Sequence, residues 1–409
     1  MSETGDGPVP LGFSRQRLER IPAFIEGYVD DGKLPGYVCL VSRFGEEAYY
    51  TAYGYSDVER GTPIARNTIF RIYSMTKPIT SVALMTLYEK GAFQLDDPVA
   101  NYLPQWRDLQ VFAGGDATNY HVQKPSRPMV IKDLFTHTSG LTYGFLNTHP
   151  VDAMYRAAQI AAKGPGSTLA GMIDDLAALP LQFSPGTQWN YSVSTDVLGH
   201  LVQVFSDQDL GQYIAERITR PLGMEDTGFF VMPKNHARLA ACYDRVVATN
   251  SLKLQDDPRT SPYLKLPTFL SGGGGLVSTV DDYHTFARML LGKGEANGVR
   301  VLGRKTVEYM TVNHLPGNKD IAAMGRPIFS ETSYDGIGFG LGFSVVLDPA
   351  TANVVDSAGD FAWGGAASTY FWIDPVEQLI VIFMSQLLPS SSYPIRRQLK
   401  ALVYQALVD

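Results

Sequence analysis

The sequence predicts an α+β fold, in which an antiparallel sheet is built from both ends of the chain and flanked by the N-terminal and C-terminal helices. Strand-like alternation occurs near the N-terminus and through the last third, whereas the middle of the chain carries helical spacing. Strands from both termini, with helices packed on them, form a layered unit with a helical insertion. We therefore expect one unit over residues 1–409, with an α/β subdomain (1–85 and 255–409) and a mainly helical subdomain (86–254).

The first elements follow from capping and alternation. Ser14 predicts the N-cap of a helix that reaches about Asp31. The apolar stripe of this helix consists of Leu18, Ile21, Ile25 and Tyr28. Residues 36–42 and 48–55 then read as two strands around a Phe-Gly-Glu turn at residues 44–46.

The chain has a single Ser-x-x-Lys motif, Ser74 to Lys77, just before an apolar run at residues 79–87. Residues three apart share one face of a helix, and a helix N-terminus favours developing negative charge. A serine hydroxyl needs a base to act as a nucleophile, and a lysine serves when its pKa is lowered. Taken alone, the motif is also typical of a helix cap followed by a solvated lysine. Gly91 predicts the end of this helix.

The remaining predicted elements are mainly helices in the middle of the chain and mainly strands in its last third. Helical spacing covers residues 131–138, 168–179 and 195–204, and a Ser-Pro-Gly turn at 184–186 precedes Tyr191. Four glycines at 272–275 predict close backbone packing, and Ser278 or Thr279 caps a helix over 281–291. Strands are expected at 338–346, 353–357, 367–373 and 379–385, before a final helix over about 393–407.

Composition limits the classes of function. The chain is 45% hydrophobic with a net charge of -7 and no basic run, which argues against a nucleic-acid partner. Cys39 and Cys242 lie in apolar surroundings and predict free buried thiols. Residues 1–6 show no secretory signal, and no apolar stretch is long enough for a membrane helix, so we expect a soluble cytoplasmic protein without a membrane partner.

Other catalytic patterns are absent from the sequence. No Gly-x-Ser-x-Gly elbow occurs, which argues against an α/β-hydrolase. The seven histidines lack zinc spacing, and His137 beside a glycine turn is interpreted as a structural hydrogen-bonding residue.

Four segments accompany the Ser-x-x-Lys motif in a fixed order. They are Phe-Thr-His-Thr-Ser-Gly-Leu at 135–141, Tyr-Ser-Val at 191–193, the glycine-rich 272–278, and Trp-Gly-Gly at 363–365. With this order and spacing, the chain resembles the serine β-lactamase and penicillin-binding-protein family, most closely the class C-like branch that includes the family VIII carboxylesterases. The resemblance runs from about Ser14 to the C-terminus. It implies a β-lactamase/transpeptidase-like fold with the active site in the cleft between the two subdomains.

The resemblance also implies roles for individual residues. Ser74 matches the acylated nucleophile, Lys77 the lysine that stabilises its ionised form, and Tyr191 the tyrosine that exchanges a proton with the serine and the leaving group. The backbone N–H groups of Ser74 and Ala366 would form the oxyanion hole. Tyr143 falls at a position that lines the substrate pocket in relatives.

The chain departs from the family pattern at the last motif. The strand position usually held by Lys-Thr-Gly carries Trp363, Gly364 and Gly365, which we take as substrate-binding residues. Val193 also replaces the usual polar amide. Both changes exchange recognition of an anionic substrate for an apolar surface, which favours neutral esters over penicillins or D-alanyl peptides.

The sequence therefore predicts a serine carboxylesterase that hydrolyses short-chain acyl esters through an acyl-enzyme. Ser74 attacks, Tyr191 assisted by Lys77 accepts the proton, and no cofactor or metal is needed. The alternatives are a β-lactamase or D-Ala-D-Ala carboxypeptidase, an acyltransferase of the same fold, and a non-catalytic binding module. The expected partner is a small-molecule ester; a homo-oligomer is compatible with the sequence, which does not determine the oligomeric state.

Overall fold

The computed structural model of the chain describes residues 8–9, 11–161, 164, 166–325 and 334–409. The prediction that no secretory signal is present was based on the acidic segment at residues 1–6. This segment lies outside the described residues. Among the helices that are described, none combines the length and the apolar character that crossing a bilayer requires.

An eight-stranded antiparallel sheet forms the centre of the structure. Its strands, in chain order, are β1 Gly36–Arg43, β2 Glu46–Asp57, β3 Thr62–Pro63, β4 Ile337–Phe339, β5 Ser344–Val346, β6 Phe361–Gly365, β7 Thr369–Asp374 and β8 Leu379–Met384. Their spatial order is β4-β5-β6-β7-β8-β1-β2-β3. The last strand, β8, pairs with the first, β1, with Val381 opposite Val41. The predicted sheet from both ends of the chain is therefore confirmed.

Both faces of the sheet are buried at its central strands, where side chains alternate between two hydrophobic cores. On β1, Val38 and Leu40 belong to one core, whereas Cys39 and Val41 belong to the other. This alternation is the period of two that a strand imposes on its side chains. The sheet is thus covered by a layer of helices on each side.

Five helices cover the sheet or position the candidate site. They are α1 Arg20–Asp30, α2 Thr76–Tyr88, α3 Ser194–Ser206, α4 Val280–Leu291 and α5 Ile395–Tyr404. Helices α1 and α5 pack on one face through Ile25, Leu399 and other apolar residues, while α2, α3 and α4 share the core on the opposite face. Gly91 adopts φ +75° just beyond α2, as expected for a helix C-terminus.

Shorter elements complete the fold. The remaining α-helices are Arg15–Leu18, Ile131–Phe135, Pro150–Ala157, Leu169–Ala177, Leu210–Ile214, Arg220–Leu222, Arg304–Met310, Ile321–Met324 and Pro349–Ala352. The remaining strands are Pro8–Val9, Phe13–Ser14, Phe70–Arg71, Val111–Gly115, Tyr120–Gln123, Cys242–Val246, Ser251–Asp256, Val277–Ser278, Glu295–Ala296, Val299–Arg300 and Leu387–Leu388. Cys39 and Cys242 are buried free thiols, as predicted.

Three local predictions differ from the structure. The helix capped by Ser14 stops at Leu18, and α1 begins two residues later. The strand expected at 338–346 is split into β4 and β5, because the chain turns back at Gly342, which has φ +105°. The strand expected at 353–357 does not form; a short helix capped by Asp348, Pro349–Ala352, precedes it and ends at Asn353, which adopts a left-handed conformation.

The middle of the chain contains two hairpins that alternation did not reveal. One joins Val111–Gly115 to Tyr120–Gln123, and the other joins Cys242–Val246 to Ser251–Asp256. The second hairpin crosses the expected subdomain boundary at 254/255, and its first strand also pairs with Leu387–Leu388. The division into two subdomains stays a prediction.

Candidate active site

The candidate nucleophile lies where a short turn becomes helix α2. Ser74 is the middle residue of a 3-10 turn, Tyr73–Met75, that leads directly into α2. Tyr73 adopts φ +42°, an uncommon conformation for a bulky residue. Lys77 lies one helical turn later, is 1% exposed, and donates a hydrogen bond from Nζ to Ser74 Oγ at 3.1 Å. The structure thus brings the two residues of the motif into direct contact.

Lys77 is held from the opposite side by the glycine-rich loop. Its Nζ donates a second hydrogen bond, of 2.6 Å, to the carbonyl oxygen of Gly273. Burial lowers the pKa of Lys77 to about 7, against the opposing charge of Asp196. At neutral pH a substantial fraction of Lys77 is therefore uncharged and able to accept a proton.

Tyr191 completes the group around Ser74. It lies in the loop before α3, where Asn190 donates its backbone N–H to the His137 carbonyl oxygen at 2.9 Å. Lys77 Nζ is 4.5 Å from the centroid of the Tyr191 ring. Burial raises the pKa of Tyr191, while the neighbouring Ser74 hydroxyl and Trp363 indole act to lower it. The phenol is consequently neutral at physiological pH.

Tyr143 and His137 support this tyrosine from the side. Their rings lie 5.3 Å and 4.9 Å from the Tyr191 ring, centroid to centroid. Phe145 stacks on Tyr143, with 4.8 Å between the ring centroids, and lines the cavity beside Ser74. His137 Nδ1 hydrogen-bonds to Ser192 Oγ at 3.2 Å, in agreement with a structural role for that histidine.

The Trp-Gly-Gly segment forms the end of β6 beside Ser74. Trp363, Gly364, Gly365 and Ala366 all line the cavity onto which Ser74 opens. The Trp363 ring lies 5.4 Å from the Tyr191 ring. Ala366 follows the last residue of β6 and is exposed. The two backbone N–H groups predicted to bind the oxyanion thus belong to residues that border one cavity.

This cavity has a volume of about 490 Å³ and a mixed lining. Its apolar residues include Phe145, Ile337, Val346, Val354, Trp363 and Leu388. Arg396 of α5 also borders it and donates from Nη2 to the carbonyl oxygens of Gly365 and Thr369, at 3.1 and 3.2 Å. The apolar surface expected from the sequence is therefore present, together with three cationic side chains of α5, Arg396, Arg397 and Lys400.

A buried charged cluster contributes Asp356, Asp360 and Lys400 to the lining of the same cavity. Lys400 hydrogen-bonds to Asp356 and Asp360, and the Tyr404 hydroxyl lies within hydrogen-bond distance of Asp356 and Asp374, at 2.9 and 2.8 Å. Burial raises the pKa of Asp360 well above its ordinary value, against the charge of Lys400. Among the described residues, these three carboxylates are the group close enough together to hold a metal ion. The Lys400 ammonium already supplies their positive partner, so we assign the cluster to fastening α5 to the sheet.

One buried charge near Ser74 was not predicted from the sequence. Asp196 lies in the first turn of α3, five residues after Tyr191, and is 1% exposed. An acidic residue in a first helical turn is common, since the helix dipole stabilises a negative charge there. Only its burial distinguishes Asp196, and burial is a property of the tertiary structure.

The chain matches known proteins over nearly all of its length. The family model described as Beta-lactamase matches residues 21–405. Protein Rv1367c of Mycobacterium tuberculosis is 38% identical over 381 residues, which are 92% of this chain and 91% of that protein. Esterase EstB of Burkholderia gladioli is 30% identical over 406 residues, 92% of this chain and 93% of EstB. The solved structure of EstCE1, described as a hydrolase with promiscuous acyltransferase activity, has a TM-score of 0.79 at 26% identity and covers 95% of this chain and 99% of its own.

Proposed function

This chain belongs to the beta-lactamase family, and on that premise we propose that it is a serine carboxylesterase that cleaves short-chain acyl esters through an acyl-enzyme on Ser74. The predicted family and the β-lactamase/transpeptidase-like fold are confirmed. The observation that carries the proposal is the 3.1 Å hydrogen bond from Lys77 Nζ to Ser74 Oγ, at the edge of a cavity of about 490 Å³. A nucleophile paired with a buried base and open to a cavity is the arrangement that acyl transfer requires.

In the proposed first step, neutral Lys77 takes the proton of the Ser74 hydroxyl as Oγ attacks the ester carbonyl carbon. The carbonyl oxygen becomes an oxyanion, stabilised by the backbone N–H groups of Ser74 and Ala366. When the tetrahedral intermediate collapses, the bond to the alcohol oxygen breaks and Tyr191 donates a proton to it. Lys77 returns a proton to Tyr191, and water then attacks the acyl group by the same route in reverse.

This order differs from the one proposed from the sequence, in which Tyr191 accepts the serine proton with help from Lys77. The reason is burial, which disfavours the charged form of each group. Burial lowers the pKa of Lys77 to about 7 and raises that of Tyr191 above its ordinary value. Near neutral pH Lys77 offers an uncharged amine that can accept the serine proton, whereas Tyr191 keeps its own proton and has it available for the leaving alcohol.

Esters are favoured as substrates over β-lactams by the wall of the cavity. Trp363 replaces a lysine of the family pattern with an aromatic surface, in a lining that holds both apolar and charged side chains. The Arg396 guanidinium in this lining already donates to the carbonyl oxygens of Gly365 and Thr369. The description of EstB as an esterase agrees with this preference. The proposed partner is consequently a small neutral ester, and the cytoplasmic location stays a prediction.

Acyl transfer to an alcohol is the second candidate, supported by the likeness to EstCE1. Both activities share the acyl-enzyme and differ in whether water or an alcohol attacks it. The test is to add increasing methanol during p-nitrophenyl butyrate turnover and to quantify methyl butyrate and butyrate. Methyl ester formed at the expense of butyrate supports transfer, and butyrate alone excludes it.

The proposed function is tested by labelling the chain with a fluorophosphonate and locating the adduct by mass spectrometry. We expect one adduct, on Ser74, and loss of p-nitrophenyl butyrate hydrolysis in Ser74→Ala. The matched control is Ser81→Ala, a serine on the same helix that the mechanism does not use. An unlabelled Ser74, or an active Ser74→Ala variant, refutes the assignment. Nitrocefin turnover faster than ester turnover would instead identify a β-lactamase.

A further inference from the structure

Asp196 is a buried carboxylate that the proposed mechanism does not use, although its charge acts on Lys77, the base of that mechanism. It is 1% exposed and belongs to α3, the helix that follows Tyr191. Removing a carboxylate from water is costly unless hydrogen bonds and an opposite charge compensate it. The groups around Asp196 therefore show which interactions compensate for its burial.

The hydrogen bonds of Asp196 go to the glycine-rich loop. Its Oδ1 accepts one from the Ser271 hydroxyl at 2.6 Å and one from the backbone N–H of Gly273 at 3.0 Å. The loop lies so close that a Cβ at Gly273 would be 2.6 Å from Asp196 Oδ2. The carboxylate thus fixes the Gly273 peptide from the N–H side, and only a glycine permits this approach.

The other side of the same loop residue holds Lys77. The Gly273 carbonyl oxygen accepts from Lys77 Nζ at 2.6 Å, and Lys77 Nζ in turn donates to Ser74 Oγ at 3.1 Å. A continuous line of hydrogen bonds therefore runs from Asp196 through one residue of the loop to the nucleophile. Each link is buried or partly buried, where hydrogen bonds are strong and geometry is restricted.

We propose that Asp196 is a positioning residue, which holds Lys77 against Ser74 through Gly273 and supplies the negative charge that balances the Lys77 ammonium. This inference rests on the proposed function, because it assigns a task to the base of that mechanism. It adds a fourth side chain to a site for which the sequence indicated three.

The charge part of the proposal depends on everything that faces Lys77. These groups are Ser74, the Tyr191 ring at 4.5 Å, the Tyr143 ring at 5.5 Å, His137 and Asp196. Both phenols and the histidine are buried in their neutral forms, since burial raises the pKa of each tyrosine and lowers that of His137. Asp196 is therefore the negative charge among them, and it acts to raise the pKa of Lys77.

Two substitutions separate geometry from charge. Asp196→Asn keeps an oxygen that accepts from Ser271 and Gly273 but removes the charge. The acid limb of its kcat/KM profile should therefore move to lower pH by about 0.5–1 unit, while the plateau stays within about tenfold of the unsubstituted chain. Asp196→Ala also removes the hydrogen bonds and should lower the plateau kcat by about 100-fold with little change in KM. Ser271→Ala, which removes one hydrogen bond and no charge, should leave the acid limb in place.

The rate at which a fluorophosphonate labels Ser74 is measured over the same pH range, so that slow variants give a profile too. Circular dichroism and thermal unfolding monitor the fold. An unshifted labelling profile in Asp196→Asn overturns the charge part, and a wild-type plateau in Asp196→Ala overturns the positioning part. Failure of the unsubstituted chain to label at Ser74 would count against the proposed function itself, so the two failures are distinguishable.

Discussion

The backbone of Gly365 lies against the carbonyl oxygen of Ile72, so close that no Cβ fits between them. Ile72 precedes the turn that carries Ser74, and Gly365 is the last residue of β6 before Ala366. This approach brings together two chain segments almost 300 residues apart in sequence. It is the contact that would set the distance between the two backbone N–H groups of the proposed oxyanion hole.

We expect Gly365→Ala to push these segments apart. The added methyl group meets both the Ile72 carbonyl oxygen and Thr369 Oγ1. Overpacking of this kind costs about 1–3 kcal/mol of unfolding free energy. A displaced oxyanion donor should lower kcat by about 100-fold. Urea unfolding and p-nitrophenyl butyrate kinetics measure the two effects. Gly228→Ala, whose Cβ has only ordinary contacts, should change neither; full activity in Gly365→Ala would contradict the predicted oxyanion hole.

Tyr191→Phe tests the proton transfer to the leaving alcohol, measured on an alkyl butyrate, whose alkoxide must be protonated as it leaves. Removal of a positioned acid typically costs 10²–10⁴-fold, roughly, in kcat. The ring contacts with Trp363 and His137 are kept, so stability should be nearly unchanged. Tyr143→Phe removes a hydroxyl from the neighbouring ring and should lower kcat by no more than about tenfold, because that hydroxyl is not part of the proposed proton path. Equal losses in both variants would argue against a specific task for Tyr191.

The pH dependence of kcat/KM follows from the state of Lys77. Burial lowers the pKa of Lys77 to about 7, and only its neutral form accepts a proton. Activity should therefore rise with pH up to about 7 and then level off, because the raised pKa of Tyr191 keeps the phenol protonated at alkaline pH. Lys77→Arg should be inactive throughout, since a guanidinium stays protonated. A profile without an acid limb would exclude Lys77 as the proton acceptor.

Trp363→Lys places a lysine where the family pattern has one. The ammonium can bind the carboxylate of a β-lactam, and the apolar wall for the ester is lost. We expect the ratio of nitrocefin to p-nitrophenyl butyrate turnover to rise by about tenfold or more. Trp363→Met removes the ring without adding charge and is the control. If both variants change the ratio of the two turnovers equally, a cation at position 363 does not decide the substrate class.

His284 makes the fold sensitive to acid. Burial lowers the pKa of His284 to about 4, whereas a histidine in an unfolded chain has a pKa near ~6.5. Between these values the unfolded chain binds a proton that the folded chain does not, so stability falls as the pH drops from about 6.5 to 4.

His284→Gln should remove part of this loss of stability in acid. The glutamine amide can keep a hydrogen bond to Ser42, whose Oγ lies 2.8 Å from Nε2 of His284. The expected gain at pH 4.5, relative to pH 7, is on the order of 2 kcal/mol in unfolding free energy. Urea unfolding at both values measures it. His121→Gln, at an exposed histidine, serves as the control, and an identical acid loss in both variants would assign the sensitivity elsewhere.

Local rules in the sequence were sufficient for the fold class and the candidate nucleophile. Apolar runs of strand length identified β1, β7 and β8, because a strand buried on both faces takes apolar residues at successive positions. The aromatic and β-branched residues at 48–55 identified β2, which is more exposed. The spacing of three between Ser74 and Lys77 places them on one helix face before any tertiary contact forms. Short hairpins with largely exposed strands, such as Val111–Gly115 with Tyr120–Gln123, were missed because few of their residues are buried.

The tertiary structure alone decided the protonation states and the neighbours. Asp196 reaches Lys77 through a residue 77 positions further along the chain, and Arg396 reaches the cavity from the last helix. The proposed preference for Lys77 over Tyr191 as proton acceptor depends on the burial of both. Spacing along a chain determines which side chains share a face; the loss of solvent around a charge arises only when distant segments pack together.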